Sequence, residues 1–191
     1  MGRATASRPA LPPPRHQAYA LAKSAAEAPF QLFFPIVFSC LVYFAAGLRE
    51  EASAFLVFTF VLICVCFASQ SWGLMIGALA PTPEIALIGG LPVVIPFIIA
   101  GGLFANRERF EPELLWLEKL SIISWSFEGL MHNEYDSRDF PSGGDVRHGS
   151  EVLSRMSIGG STARAILALL VETIVARAVM WYALVRASRR G

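Results

Sequence analysis

The sequence predicts an all-α polytopic membrane protein of about four transmembrane helices plus a re-entrant helical segment. Three observations carry this. Of 191 residues, 54% are hydrophobic and only 16% are charged, against about 25% charge in an ordinary soluble domain. The mean hydropathy is +0.52. The apolar residues are gathered into long blocks rather than spread at the period of an amphipathic helix or strand. A formal charge of +1 also excludes nucleic acid as the main partner, because phosphate binding needs a concentrated basic face.

Residues 1–17 contain Pro9, Pro12, Pro13 and Pro14 among Ala, Ser and Arg, and are expected to form a flexible cytoplasmic lead-in. No apolar h-region of a secretory signal precedes Ala18. An acid-free, Arg-bearing start also fits an organelle transit peptide, although proline suits an amphipathic helix poorly. The partial membrane domain is expected over 18–191, with spans at about 29–48, 53–80, 85–105 and 165–185. Each is long enough to cross about 30 Å of hydrocarbon.

The first span holds Pro35 and a dense row of phenylalanines. The second carries Ser69, Gly73 and Gly77 at four-residue intervals, a small-residue stripe that admits a neighbouring helix, either within the chain or across a dimer seam. Pro81 and Pro83 mark a turn. Pro92 and Pro96 each remove a backbone donor from the third span, which is therefore expected to bend. The fourth span is apolar except for Glu172 and Arg177. Five residues apart, these two point about 140° away from each other on a helix. Separate partners or snorkelling are expected for them, with a transport role as the alternative.

Basic residues cluster before the first span (Arg3, Arg8, Arg15, Lys23) and after the last (Arg186, Arg189, Arg190). Both termini are therefore expected to be cytoplasmic, consistent with an even number of spans. The 107–164 segment opens with a mixed apolar stretch, Phe110 to Tyr135, too short to cross but long enough to dip into the bilayer, with Trp116 and Trp125 suited to headgroup depth. Within it Glu128 either faces external water or anchors the re-entrant turn. From Asp136 to Gly160 the composition is that of an exposed external loop.

The search for reaction chemistry returns negatives. Neither Lys23 nor Lys119, the two lysines, follows a glycine-rich phosphate-cradling run. Cys40, Cys64 and Cys66 lie within spans and match no zinc site. His16, His132 and His148 lie in unrelated segments, and neither Asn106 nor Asn133 heads a glycosylation motif. No catalytic or metal-ligating residue is assigned.

The order of segments is distinctive: AYALAKS at 18–24, YFAAGLR at 43–49, QSWGLMIGALAP at 70–81 and LPVVIPFIIAGGLF at 91–104. LWLEKLSIISW at 115–125 then runs into FEGLMHNEY at 127–135. This series, covering about Ala18 to Arg190, resembles the membrane domain of the White/ABCG subfamily of ATP-binding cassette transporters. The resemblance implies a six-helix half-transporter membrane domain that works as a homo- or heterodimer. It also implies a nucleotide-binding domain on the N-terminal side, to which ATP and Mg belong. The spans here would be helices three to six, and 115–135 the family's re-entrant segment, with Glu128 and Asn133 in it.

Val93, Val94, Phe97 and Ile98 would line the translocation path for a lipid-like or hydrophobic substrate. No segment corresponds to helices one and two, the coupling helix or the ATPase motifs, and the external loop lacks the family's frequent cysteines. The chain is thus expected to be the C-terminal portion of a transporter, not an enzyme by itself. The alternative is a truncated membrane protein that binds and regulates a full half-transporter.

Overall fold

The computed structural model describes residues 16–101, 115–136, 138–139 and 148–188. The expected lead-in up to residue 15, the end of the expected third span (102–105) and the tip of the external loop (140–147) lie outside the described residues. So do residues 106–114, 137 and 189–191. Among the described residues the regular structure is all helical, in seven elements: α1 (His16–Ala45), α2 (Ala52–Leu79), α3 (Pro83–Ile99), α4 (Leu115–Lys119), α5 (Ile122–Tyr135), α6 (Gly149–Arg155) and α7 (Thr162–Ser188).

Three helical stretches are long and apolar enough to cross a membrane: Ala25–Ala45, Ala52–Leu79 and Thr162–Arg186. α1 begins at His16, well before the expected span start at 29. The Ala-rich run ahead of Pro29 is made of good helix formers, so helix and hydrophobic span are not coextensive.

The expected third span, 85–105, is observed as the shorter α3, whose 17 residues rise only about 26 Å. Its N-terminus is set by Thr82, whose hydroxyl accepts from the Ile85 N–H, with Pro83 at the first helical position. Its other end is set by a neighbour. A Cβ on Gly101 would stand 2.5 Å from Ile123 Cγ2, so the chain turns where α5 approaches. There the Ser121 hydroxyl donates to the Phe97 carbonyl (2.8 Å) and itself accepts from the Ser124 N–H (3.2 Å), capping α5 and closing off α3 at once.

α2 is the central element, packing against α1, α3, α5 and α7. One core cluster comprises Val61, Cys64 and Ala68 of α2 with Leu169 of α7, flanked by Ile122, Trp125 and Leu130 of α5. The other joins Tyr43 of α1 to Ala54 and Phe58 of α2, where the Tyr43 ring meets those of Phe55 and Phe58 edge-on at 5.2 Å each. The outer faces stay apolar. Phe33, Phe34, Phe44, Ile174 and Tyr182 are all more than 60% exposed, as helices solvated by hydrocarbon require.

The 14-residue α5 is too short to span, and it wedges between α2 and α7, running antiparallel to α2. Its first turn, Ile122 and Ile123, shares a cavity wall with Val65, whereas Asn133 Nδ2 donates to the Ala54 carbonyl at 2.9 Å. From Ala54 to Val65 is about 16 Å along α2, so α5 runs beside about three turns of it. The wedge fits because Gly129 has no side chain: a Cβ there would lie 3.1 Å from Ala165 Cβ and within 3.8 Å of both Val61 methyls. Beside it, Thr162 Oγ1 donates to the Gly129 carbonyl (3.3 Å).

Beyond α5, the chain makes an isolated antiparallel bridge between Asp139 and His148, with the His148 imidazole 2.7 Å from the Asp139 carboxylate. That hydrogen bond, and secondarily the Asp139 charge, raise the His148 pKa above its ordinary 6.5.

Two outcomes are expected. Gly129→Val should drive a branched side chain into Val61 and Ala165 and lower stability by about 1–3 kcal/mol. Gly77→Ala, where nothing lies within 4 Å of the added Cβ, should cost nothing; thermal unfolding of both variants in detergent checks the contrast. Because the folded pKa of His148 is raised, its contribution is complete below about 6.5 and is lost as pH rises through the elevated value. An NMR titration of the imidazole should show that elevation, and Asp139→Asn should remove it.

Candidate functional site

The candidate site lies where α2 faces α3. Val93, Val94 and Phe97 of α3 line a cavity of about 280 Å³ with Ser69, Trp72 and Gly73 of α2, and Leu120, Ile122 and Ile123 close its far side. Trp72 and Phe97 meet edge-on at 5.5 Å between ring centroids. Ile98 is not on the cavity wall; it stands on α3, 37% exposed. The small-residue stripe faces α3, but no helix closes on it: nothing lies within 4 Å of a Cβ built on Gly73 or Gly77. Gly77 instead lines a neighbouring open groove with Leu87, Ile88 and Leu91. No residue of α3 is buried, although the helix is apolar all round. α3 therefore touches α2 along one edge and leaves most of its surface for lipid or another protein surface.

Polar groups hold the helices around this cavity. On α7, Arg177 reaches across to α2, its Nη2 donating to Gln70 Oε1 (2.8 Å) and its Nε to Ser71 Oγ (3.0 Å). Gln70 Nε2 passes the chain to Glu27 Oε2 on α1 at 2.6 Å. A cation within a span is thus held by two side chains of α2, one of which links it onward to α1. Glu172 lies elsewhere, on a different face of α7 among Trp72, Trp125 and Val175. The two intramembrane charges do not pair.

At the α1–α2 loop end, Glu128 is 1% exposed. Its Oε1 lies 3.7 Å from Arg164 Nε, and the arginine also stacks over Trp125 at 5.3 Å. Gly160, with φ of +111°, leaves the space that the carboxylate occupies, since a Cβ there would be 2.3 Å from Oε1. Glu128 therefore faces the junction with α7 rather than open water. Asn133 ties α5 to α2 through Ala54, as above.

The sequence reading missed Glu134. Only 7% exposed, it accepts from the Arg49 backbone N–H at 3.1 Å and from the Arg138 guanidinium. The Tyr43 hydroxyl meanwhile donates to the Arg49 carbonyl (2.5 Å). α5 thereby grips the turn joining α1 to α2. A signal was present: a carboxylate in the last turn of a helix opposes the helix dipole and needs a partner elsewhere.

The sequence match to known proteins agrees with this arrangement. The ABC-2 type transporter membrane family matches residues 8–135, two thirds of the chain and all the helices that build the cavity. The chain belongs to that family. Within it, the relatives are of the White/ABCG subfamily. The chain is 32% identical to ABC transporter G family member 7 of Arabidopsis thaliana over 86% of its own length and 22% of that protein. It is 35% identical to Protein white of Drosophila melanogaster over 63% of the chain and 18% of that protein. It is 29% identical to the broad substrate specificity ATP-binding cassette transporter ABCG2 of Rattus norvegicus over 68% of the chain and 20% of that protein. The chain spans about a fifth of the length of these relatives, and it is an integral membrane protein.

Glu134→Ala should release the α1–α2 turn. Losing charge-assisted hydrogen bonds of this kind costs about 2 kcal/mol, which a lowered unfolding midpoint in detergent would register, whereas Glu50→Ala on the same loop should leave it unchanged.

Proposed function

We propose that this chain forms part of the translocation path of an ATP-driven ABCG-type half-transporter, with ATP hydrolysis supplied by a nucleotide-binding domain outside these residues. The observation that carries the reading is the α2–α3 cavity. It is apolar, it is bounded by a helix with no buried residue, and it faces a stripe of small residues on which no helix of this chain closes. Such a surface suits a second membrane half on the other side of α3, so that the cavity opens onto a path between two copies or two different halves. Its lining of Val93, Val94 and Phe97, with Ile98 one position further along α3, suits a lipid-like or otherwise hydrophobic cargo. Polar selectivity would come from few groups, Ser69 foremost.

In this reading the termini are cytoplasmic. Motion at the cytoplasmic helix ends reaches the path through the Glu27–Gln70–Arg177 chain, which links α1, α2 and α7. The α5 wedge caps the path from outside. Transport requires the two conformations to bind cargo and nucleotide with different affinity.

Filling the cavity tests the proposal. In a complete half-transporter carrying this membrane portion, Gly73→Trp and Val93→Trp should each lower substrate-stimulated ATP hydrolysis and transport by about tenfold. Phe34→Trp, on the exposed face of α1, should change neither. Full transport in both cavity variants would contradict the assignment. A single cysteine at Ser154 should react with an impermeant thiol reagent from outside intact cells; reaction only from inside would contradict the orientation.

A further inference from the structure

A second cavity, of about 530 Å³, lies on the other side of Trp72 from the α2–α3 path, between α2, the α4–α5 segment and α7. Its wall is apolar, with Met75, Leu167, Val171 and Val175 among its residues, and the indoles of Trp72 and Trp125 on its flanks. Into this surface α7 places Glu172. Both carboxyl oxygens are buried, and neither accepts a hydrogen bond from any described residue. The nearby cations are not committed to it. Arg164 is engaged by Glu128 and by the Trp125 ring, and Lys119 stands exposed at the rim. Arg177, one and a half turns away, is turned to Gln70 and Ser71. The Trp125 N–H, which also lies near Glu172, donates to the Lys119 carbonyl, and the Trp72 N–H on the same wall has no acceptor among the described residues.

An acidic group without donors inside hydrocarbon is costly, and intramembrane carboxylates are normally answered by a cation or a donor. Among the described residues none answers it, which leaves the place to a ligand. It has to donate to two oxygens, carry positive charge, sit beside two indole rings and bring an apolar body to cover the rest of the wall. Ammonium groups meet the first three requirements through charge, hydrogen bonding and attraction to aromatic faces. The volume falls in the range of about 300–1,000 Å³ usual for small-molecule sites. We infer that the cleft between α2, α5 and α7 is a binding site for a protonated hydrophobic amine, its ammonium on Glu172 and its apolar body against Met75, Val171 and Val175. The site touches the α2–α3 path only through Trp72 and Leu120 and does not depend on the transport reading.

The test uses the purified chain in nanodiscs of zwitterionic lipid and a probe built on a long alkyl chain, with a dansyl group at one end and a primary amine at the other. Energy transfer from the tryptophans reports occupancy. The amine probe should bind saturably, and at least about tenfold more weakly to Glu172→Gln, a loss equivalent to about 1.4 kcal/mol. The same probe ending in a hydroxyl should bind weakly and equally to both proteins. Ala168→Phe, which fills the cleft and keeps the carboxylate, should also abolish saturable amine binding, and it decides the matter if the amide variant does not fold. Unchanged amine affinity in either variant would overturn the inference. So would a hydroxyl probe that matches the amine, which would mark a neutral-lipid site, or the absence of saturable binding, which would mark a cleft covered by protein or bulk lipid.

Discussion

The close approach of three helices at Gly129 is the contact on which the remaining architecture depends. α5 can enter between α2 and α7 only because position 129 presents a backbone to Val61 and Ala165. Once there, it organises everything at that end of the bundle. Its first turn ends α3 through Ser121, its middle buries Glu128 against the start of α7, and its last turn holds the α1–α2 connection through Asn133 and Glu134. An inserted helix of this kind has to bring its own satisfied polar groups, since lipid offers none. Ser121 and Glu134 bond to backbone groups at a helix end and a turn, where unpaired carbonyls and N–H groups are found, and Asn133 adds a second donor to the Ala54 carbonyl in the first turn of α2.

The same constraint explains the contrast between the two charges of α7. Arg177 is long and forked, and it meets Gln70 and Ser71 together, so its charge is dispersed over a network that reaches Glu27 on α1. Glu172 is short, sits where the facing side chains are indoles and aliphatics, and is left for a ligand to complete. One helix thus carries a structural cation and an acid that structure does not explain, only five residues apart.

Much of the bundle was legible in the sequence. Uncharged blocks marked α1 and α2, and a block apolar but for Glu172 and Arg177 marked α7, since a membrane tolerates little else over that length. The interrupted apolar stretch after Phe110 marked a segment too short to cross, observed as α4 and α5, and the opposed faces of Glu172 and Arg177 followed from helical geometry alone. What could not be read depended on neighbours distant in the chain. Ile123 packs against the backbone at Gly101, just past the end of α3, and Arg177 finds Gln70 on α2, which in turn reaches Glu27 on α1. Val93, Val94 and Phe97 share a cavity with Ser69 and Gly73 because of how α3 leans on α2, a tilt that hydropathy does not encode. Glu134 was overlooked because acidic residues abound in that loop. Only its position in the last turn of α5 set it apart.

Hydrogen–deuterium exchange of residues 122–135, with the chain in lipid nanodiscs, tests the central claim most directly. Backbone amides from Ile122 to Gly129 should exchange as slowly as those of α2 around Val61, because they are wedged between two spans at membrane depth. Exchange as fast as that of an exposed surface helix would mean that α5 lies outside the bundle, and the arrangement described here would be wrong.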